Sequence, residues 1–431
     1  MIDQTLSVPT ITPKGLGYLV TWPEGVSVLC EGLYEHRDKH IEAFVTFSDT
    51  AELNGPHLLG PVRTPITKTW SAVKKELVGP DGISSRDDWT ARLSQVTAFV
   101  VKAYKAGSPA IALDQMEPPE PTREIIEGIL WQGTPCIIYG AGGIGKSIFA
   151  LNLIQGMHSG IPVAGMTTVQ QNCMWLDWET TRNLAYWRNA EILDGRNIQL
   201  GKWPDPERPD SPRGNMVFYK EMVGSLAENV EILAEEIERF NIGTILVDSA
   251  IPACGGEAEA TKPTQEFFTA LRAIKPPDRD LSTIIIAHVT KESTAQSKQS
   301  STPFGSTVWK DRARDTFELK ASQKRNAAHT DFALHHRKSN MRPLHKWLGF
   351  RLTWAEGCTI EALDIRKNAE LVATLSVPDQ AHIVIGNDGP MSTDELSELF
   401  DSPKSTVKSS LSRDHRFQSV NGKWEPSEMD W

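Results

Sequence analysis

Eight consecutive residues, GAGGIGKS, carry the clearest chemistry in this chain. Their spacing is that of a phosphate loop, in which glycines allow tight turns that aim backbone N–H groups at phosphate oxygens. An apolar, β-branched run precedes the loop and apolar residues at helical spacing follow it, so the strand, loop and helix order is present. The alternative is an ordinary glycine turn. We predict that a nucleoside triphosphate is bound by Gly140, Ala141, Gly142, Gly143, Ile144, Gly145, Lys146 and Ser147, with Lys146 on the β- and γ-phosphates and Ser147 on Mg²⁺.

Acidic residues and a histidine end three further apolar runs. Asp248 closes GTILVDSA, where a carboxylate holds Mg²⁺ or, alternatively, caps a turn. Asp177 and Glu179 end CMWLDWE two residues apart, hence on one side of a strand. Glu179 is the candidate that polarises the attacking water, and Asp177 is either functional or a supporting group. His288 ends STIIIAHV, where it would sense the γ-phosphate or serve a structural role.

The elements that must position these residues read as strands alternating with helices. This pattern predicts an α/β fold with a mostly parallel sheet covered on both faces. Four later runs, ARDTFELKAS, DFALHHRKS, LGFRLTWAE and CTIEALDI, are expected to continue that sheet in antiparallel fashion. The candidate residues would then lie together along one edge of the sheet.

The patterns divide the chain into four parts. Residues 1–115 alternate in short apolar runs before a helical stretch, which predicts a small α+β domain without a catalytic constellation. Residues 116–123 are rich in proline and acid and read as a linker. Residues 124–368 form the predicted ATPase domain. Residues 376–431 read as two helices and a hairpin, the pattern of a winged helix that binds DNA or a protein partner.

Composition limits the classes of protein that remain. No apolar run approaches the roughly 20 residues of a membrane span, and the N-terminus lacks a basic start and an apolar block, so we expect a cytoplasmic protein without membrane contact. The five cysteines have neither disulfide nor zinc spacing. A net charge of −10 argues against coating duplex DNA through bulk charge. Locally, however, residues 310–346 hold ten Lys or Arg against four acids.

An ordered set of motifs resembles the RepA-like branch of the RecA superfamily, the hexameric replicative helicases of plasmids and phages. The set spans about Pro121 to Ile365 and consists of the phosphate loop, GIPVAGM, LDWE, LVDSA, AHVTK, FGSTVWKDRARDTFEL and HHRKSNMRP. The resemblance implies a RecA-like core and a hexameric ring, with ATP and Mg²⁺ bound between neighbouring subunits. Neither the N-terminal region nor the winged helix belongs to it.

The resemblance also implies roles for individual residues. Glu179 would be the catalytic base, His288 the sensor, and Arg314 the finger that reaches the neighbouring subunit's ATP, with Arg312 as its competitor. Lys338 matches a second interfacial cation. Where many of these helicases have an arginine two residues later, this chain has Asn340, so the partner of Lys338 is open and Arg342 is a possible substitute.

Single-stranded DNA is the expected partner, bound by loops that line the ring's channel. The cations available in those loops are Lys262, Lys291 and Lys298, and the scarcity of aromatic residues there predicts binding through backbone electrostatics. In the winged helix, Lys404, Lys408 and Arg413 would meet duplex DNA, while a replication protein is the alternative partner.

These features predict an ATP-dependent motor on single-stranded DNA, a replicative helicase of phage or plasmid type. One alternative keeps the same core in a filament, as a recombinase or strand-loading ATPase. The other is a nucleotide-switched DNA-binding regulator or defence ATPase, whose hydrolysis would be slow and indifferent to single strands.

Overall fold

The chain forms two compact units, Met1–Pro121 with Pro276–Asp278, and Thr122–Lys275 with Arg279–Trp431. Each unit contains its own hydrophobic core. The computed structural model describes residues 7–14, 17–35, 39–48, 57–68, 70, 73, 86–107, 120–196, 217–256, 259–276, 279–289, 303, 305, 307–323, 327–355 and 357–427.

The described part of the first unit is an antiparallel sheet packed with one long helix. Its strands, each paired with the next along the chain, are β1 (Thr10–Lys14), β2 (Gly17–Thr21), β3 (Ser27–Glu35), β4 (Ile41–Ser48) and β5 (His57–Pro65). Helix α1 (Arg86–Ala106) follows. Its buried residues recur every three or four positions, and the ring of Trp89 meets that of Phe47 edge-on at 5.5 Å. The predicted short strands and helix are therefore present.

The second unit is built on a large mixed sheet. After a short hairpin, β6 (Glu124–Ile126) and β7 (Leu130–Trp131), its strands are β8 (Pro135–Gly140), β9 (Asn172–Asp177), β10 (Val217–Glu221), β11 (Ile242–Asp248), β12 (Ser282–His288), β13 (Asp315–Ser322), β14 (His329–Ser339), β15 (Leu348–Thr353) and β16 (Thr359–Ala362). Among the described residues the spatial order is β10-β9-β11-β12-β8-β13-β14-β15-β16. Neighbours from β10 to β13 are parallel, and those from β13 to β16 are antiparallel. This confirms the expected α/β core and its antiparallel continuation.

Helices cover both faces of this sheet, which explains why its central strands are apolar at consecutive positions. Ile137 points into one core and Ile138 into the other. The helices that precede the C-terminal segment are α2 (Lys146–Ser159), α3 (Arg182–Gly195), α4 (Val230–Arg239), α5 (Ala250–Ala253), α6 (Thr261–Ala273), α7 (Val308–Arg312) and α8 (Ala369–Val372). Helices α2 and α3 contribute to one core, and α4 and α6 to the other.

The register of the parallel strands aligns their carboxyl ends. His288 of β12 pairs with Gly140 of β8, and Asp248 of β11 pairs with Asp177 of β9. The phosphate loop and the acidic strand ends therefore share one edge of the sheet, as the sequence predicts.

The C-terminal segment contains the two predicted helices and the predicted hairpin. Its elements are α9 (Val377–Asp388), β17 (Met391–Ser392), α10 (Thr393–Leu399), α11 (Lys404–Ser412), β18 (Phe417–Val420) and β19 (Lys423–Pro426), with the strands ordered β17-β19-β18. Ile383 of α9 packs with Ala333 of β14, so this segment belongs to the same compact unit as the large sheet. None of the helices in the described ranges is long and apolar enough to cross a membrane.

Candidate nucleotide site

The phosphate loop turns directly from β8 into α2. Gly143 and Gly145 have φ angles of 75° and 95°, in the left-handed region that favours glycine, and Gly145 caps the start of the helix. The next residue, Lys146, is buried, and its Nζ donates hydrogen bonds to the carbonyl oxygens of Gly140 at 3.1 Å and Ala141 at 2.8 Å. The ammonium group is thus held inside the loop at a helix N-terminus, where backbone N–H groups favour anions.

Burial lowers the pKa of Lys146 to about 8, although the nearby carboxylates of Asp248 and Glu179 oppose that shift. A buried ammonium loses hydration that only partners in the site can replace. An anion bound in the loop would supply further negative charge and favour the charged lysine. The electrostatics of the loop therefore suit a phosphate group.

Asp248, at the end of β11, is almost completely buried, and neither carboxylate oxygen has a hydrogen-bond partner among the described residues. Burial raises its pKa to about 6, the nearby Ser147 hydroxyl opposes the rise although it does not meet hydrogen-bond geometry, and Glu179 and Asp177 add to the rise. A buried carboxylate without hydrogen bonds is destabilised unless a proton or a cation joins it.

This arrangement fits Mg²⁺ carried by a nucleotide. No group of three or more His, Cys, Asp or Glu side chains that could hold a metal occurs among the described residues. Mg²⁺ prefers oxygen ligands and usually shares them between one or two protein groups, phosphates and water. Ser147 and Asp248 would provide the protein oxygens, and the unpartnered Asp248 carboxylate is the observation that supports this assignment.

Glu179 and His288 meet beside the loop. The Ser249 hydroxyl donates to Glu179 Oε1 at 2.5 Å, and His288 Nε2 lies 3.6 Å from the same oxygen. The other ring nitrogen, His288 Nδ1, lies 3.4 Å from Lys146 Nζ. Hydrogen bonding from His288, aided by Ser249, lowers the pKa of Glu179 to about 2. His288 therefore connects the lysine of the phosphate loop to the candidate base.

Asp177 holds the loop that carries Glu179. Its Oδ1 accepts hydrogen bonds from the backbone N–H groups of Glu179 and Thr180, and its Oδ2 accepts from the Thr180 and Tyr219 hydroxyls. The carboxylate is completely buried and used by these contacts. The sequence left Asp177 as either a functional residue or a supporting group. Its hydrogen bonds favour the supporting role.

Sequence reasoning did not identify Ser249, Thr180, Tyr219 or Arg188 at this site. Arg188 of α3 lies near enough to lower the pKa of Asp248, against the effect of burial. Its position nine residues after Glu179 carries no recognisable motif. Only the packing of α3 beside the sheet edge brings it there.

The predicted interfacial cations lie at the opposite edge of the sheet. The backbone N–H of Arg314 donates to the carbonyl of Pro135, the first residue of β8, about 17 Å along the strand from Gly140. Arg312 and Arg314 are both exposed. Neither can reach this chain's own phosphate loop, and the geometry does not choose between them as the predicted finger.

Lys338 lies at the same edge with its amine engaged. It donates to the backbone carbonyls of Lys310 and Ala313 at 2.6 Å each, and so closes the end of α7. Arg342 pairs with Glu124 and lies over the Trp131 ring. These contacts give both residues a structural role within this chain, and the pairing of Arg342 with Lys338 stays a prediction.

The predicted DNA contacts are only partly visible. Lys262 is exposed near the start of α6, whereas Lys291 and Lys298 lie outside the described residues. In the C-terminal segment, Lys408 and Arg413 are exposed, and Lys404 is exposed with an ion pair to Asp394.

One comparison with known proteins bears on this site. Residues 104–294 match the sequence family described as an AAA domain. The match includes the phosphate loop, Glu179, Asp248 and His288, but ends before Arg314 and Lys338. No curated protein matches the sequence. A solved structure, a KaiC-like protein from the hyperthermophilic archaeon Pyrococcus horikoshii OT3, aligns with 57% of this chain and all of its own, at 14% identity and a TM-score of 0.37. The chain contains a P-loop ATPase domain, as the family match and the loop geometry together indicate.

Replacing Asp248 with Asn should stabilise the nucleotide-free protein, and more so at higher pH. The folded-state pKa of about 6 exceeds the ordinary aspartate pKa of 3.8, so wild type loses stability between those values as pH rises. The variant should gain about 1.5 kcal/mol at pH 5 and about 3 kcal/mol at pH 7.5 in free energy of unfolding. Urea unfolding at both pH values measures this gain.

The exposed Asp388→Asn exchange is the control and should leave stability unchanged at both pH values. Asp248→Asn should also weaken the dependence of nucleotide binding on Mg²⁺. A gain that is the same at pH 5 and pH 7.5 would contradict the account of Asp248 as an uncompensated buried carboxylate.

Proposed function

We propose that this chain is a RecA-like, RepA-type ATPase that assembles head to tail into a ring and uses ATP hydrolysis to move along single-stranded DNA. The observation that carries the proposal is the position of His288 between Lys146 and Glu179. In the sequence, His288 and Val289 are followed directly by residues 290–302. This segment contains Lys291 and Lys298, which are predicted to bind DNA. One side chain therefore lies between the phosphate loop and the candidate base, and in the sequence it precedes the segment expected to meet DNA.

The chemistry follows from the residues at the sheet edge. ATP would lie in the phosphate loop with its phosphates against Lys146 and the N-terminus of α2. When bound, Mg²⁺ held by Ser147 and Asp248 would neutralise charge on the β- and γ-phosphate oxygens. A water oriented by Glu179 attacks the γ-phosphorus. The new O–P bond forms as the bond to the bridging oxygen of ADP breaks, and the water's proton passes to Glu179 or through it to solvent.

The low pKa of Glu179 keeps the candidate base inactive while no nucleotide is bound. A carboxylate whose pKa is about 2 is a weak base, because His288 and Ser249 stabilise its charge. We expect the γ-phosphate to attract His288 away from Glu179. Losing that hydrogen bond raises the pKa of Glu179 and frees an oxygen for water. DNA bound by the following segment would favour the same movement of His288 and thereby stimulate hydrolysis.

A ring also explains the cations at the far edge. Arg314 is exposed, lies at the end of the sheet remote from its own phosphate loop, and is the finger that the family resemblance implies. Head-to-tail packing brings the amino edge of one sheet toward the carboxyl edge of the next. Arg314 would then stabilise charge on the γ-phosphoryl group of the neighbour's ATP.

A second candidate function rests on the C-terminal segment. Helices α10 and α11 with the following hairpin have the elements of a winged helix, and α11 exposes Lys404 and Lys408. A nucleotide-switched regulator would use this surface on duplex DNA and hydrolyse ATP slowly. In the motor, the same surface would assist loading or origin recognition.

Replacing Glu179 with Gln should leave nucleotide binding intact and reduce turnover by a factor on the order of 100 or more, because the amide cannot accept the water's proton. Lys146→Ala should instead weaken nucleotide binding itself. Equilibrium binding of a fluorescent ATP analogue, measured beside phosphate release, separates the two effects. Equal loss of binding in both variants would exclude Glu179 as the base.

Unwinding of a forked duplex distinguishes the motor from its filament-forming relative. Wild type should separate the strands with ATP, and Glu179→Gln should not. Hydrolysis stimulated by single strands without any strand separation would favour a recombinase or strand-loading ATPase.

Mixed assemblies test the finger. Arg314→Ala and Lys146→Ala subunits should each be inactive alone, yet recover part of the wild-type activity when mixed. Some interfaces then join an intact Arg314 to an intact phosphate loop. Arg312→Ala in place of Arg314→Ala determines which arginine is the finger. If mixed oligomers, verified by native mass spectrometry, recover no hydrolysis with either arginine variant, no finger acts between subunits.

A further inference from the structure

Helix α3 exposes one face, which the described parts of the chain do not bury. Leu184, Tyr186 and Trp187 are 45%, 54% and 63% exposed, and the Tyr186 and Trp187 rings form an edge-on pair with centroids 5.5 Å apart. Helical spacing places Glu191 and Asp194, both exposed, on the same side as Leu184 and Trp187. We call these five residues the α3 face. It combines a large apolar surface with two negative charges, while the half-buried Arg188 on this side of the helix lies near Asp248.

The opposite side of α3 explains why this face is not needed for folding. Ala185 and Ile192 are buried in the core beside the sheet. The helix is thus fixed by its inner face, while three large apolar side chains point outward. Exposed apolar groups gathered in this way commonly mark an interaction site.

A cleft of complementary character opens at the amino edge of the sheet. It encloses about 170 Å³. Its walls include the apolar side chains of Phe268, Leu271 and Leu281, and its cations are Arg272, Lys275, Arg312 and Arg314. Lys275 pairs with Asp280, whereas Arg272, Arg312 and Arg314 form no ion pair within the described ranges. We call this the basic cleft.

We infer that the α3 face of one copy of this chain docks in the basic cleft of the next copy. Apolar side chains on both surfaces would be buried together, and Glu191 and Asp194 would meet Arg272 and Arg312 of the cleft, while Arg314 extends toward the neighbour's nucleotide. The two surfaces differ, so the contact is head to tail and each copy can use both at once. The inference rests on the proposed ring and specifies the surfaces that would build it.

The location of the two surfaces agrees with the proposed catalysis. Helix α3 begins three residues after Glu179, at the carboxyl edge of the sheet, and the basic cleft includes Arg314 at the amino edge. Docking would therefore bring the Arg314 of one copy toward the carboxyl edge of its neighbour. Docking of the α3 face and placement of Arg314 near the neighbour's nucleotide would therefore occur together.

A single-stranded nucleic acid is the other occupant that exposed aromatic rings suggest, because bases stack on such rings. The charge of the α3 face opposes it. Glu191 and Asp194 would lie against phosphates, and the one exposed cation of α3 beside this face is Arg182, a turn before Tyr186, so the face keeps a negative balance. The basic cleft, with its apolar walls, is the better complement.

The test uses two complementary variants of the full chain. Tyr186→Ser with Trp187→Ser removes the centre of the α3 face, and Arg272→Glu with Lys275→Glu reverses charge in the basic cleft without touching Arg314. Ile232→Ser, at another exposed apolar residue, and Lys367→Glu, at another exposed cation, are the matched controls. Sedimentation velocity with Mg²⁺ and adenylyl imidodiphosphate reports the assembly, and circular dichroism verifies that each variant is folded.

Wild type and both controls should assemble, while each double variant alone should remain monomeric. We expect the dissociation constant for self-association of each double variant to rise about 30-fold or more, as it does when a central interface side chain is lost. Mixed in equal amounts, the two double variants should stop at heterodimers, because only one intact face meets one intact cleft. Folded double variants that assemble like wild type, or a mixture that stays monomeric, would overturn the inference.

The remaining outcomes separate this inference from the proposed function. If wild type and both double variants assemble alike, the proposed ring is retained, but the α3 face and the basic cleft are not its interface. If wild type itself stays monomeric with nucleotide and oligothymidylate, both the ring and its surfaces fail. If the α3 variant assembles normally but loses binding of oligothymidylate, the α3 face binds single strands and the inference is wrong.

Discussion

The parallel register of β8, β9, β11 and β12 is the constraint on which the candidate site depends. It aligns Gly140 with His288 and Asp177 with Asp248, so that a loop, a base candidate, a metal ligand and a histidine reach one edge from four separate segments. The strands can be apolar at successive positions because helices cover both faces. Polar function is confined to the edge where the strands end.

Burial then disfavours the charged forms of Lys146 and Asp248 at that edge when no ligand is bound. The pKa of Lys146 is lowered and that of Asp248 is raised, each toward its neutral form. Two opposite charges in a poorly hydrated site do not relieve each other unless they are close and hydrogen-bonded. A phosphate beside Lys146 and a divalent cation beside Asp248 would restore both charged forms. Glu179 is the exception, since His288 and Ser249 hold it charged before any ligand arrives.

Much of this site could be predicted from sequence because its residues adjoin apolar runs. Lys146, Asp248 and His288 each lie at a strand end or in a loop. The spacing of apolar residues and the glycines that interrupt it make these positions recognisable in the sequence. The residues that were missed depend on tertiary structure. Ser249 reaches Glu179 from a different strand, Tyr219 reaches Asp177 from β10, and no local pattern signals either contact.

The same distinction applies to the far edge and to the surfaces. The sequence supplied Lys338 and Arg342 as cations, but only the structure shows that one closes α7 and the other pairs with Glu124. The predicted succession of strands and helices does not reveal that Trp187 faces outward, since an apolar residue in a helix is expected to face the core. Lys291 and Lys298 remain predictions, because they lie outside the described residues.

Steady-state ATP hydrolysis with and without single-stranded DNA tests the central claim most directly, with duplex DNA and Lys146→Ala as controls and at low and moderate salt. The account predicts that single strands stimulate hydrolysis, that duplex DNA does so less, and that Lys146→Ala is inactive throughout. Hydrolysis that is unaffected by single strands at either salt concentration would contradict a DNA-driven motor and favour a nucleotide-switched regulator.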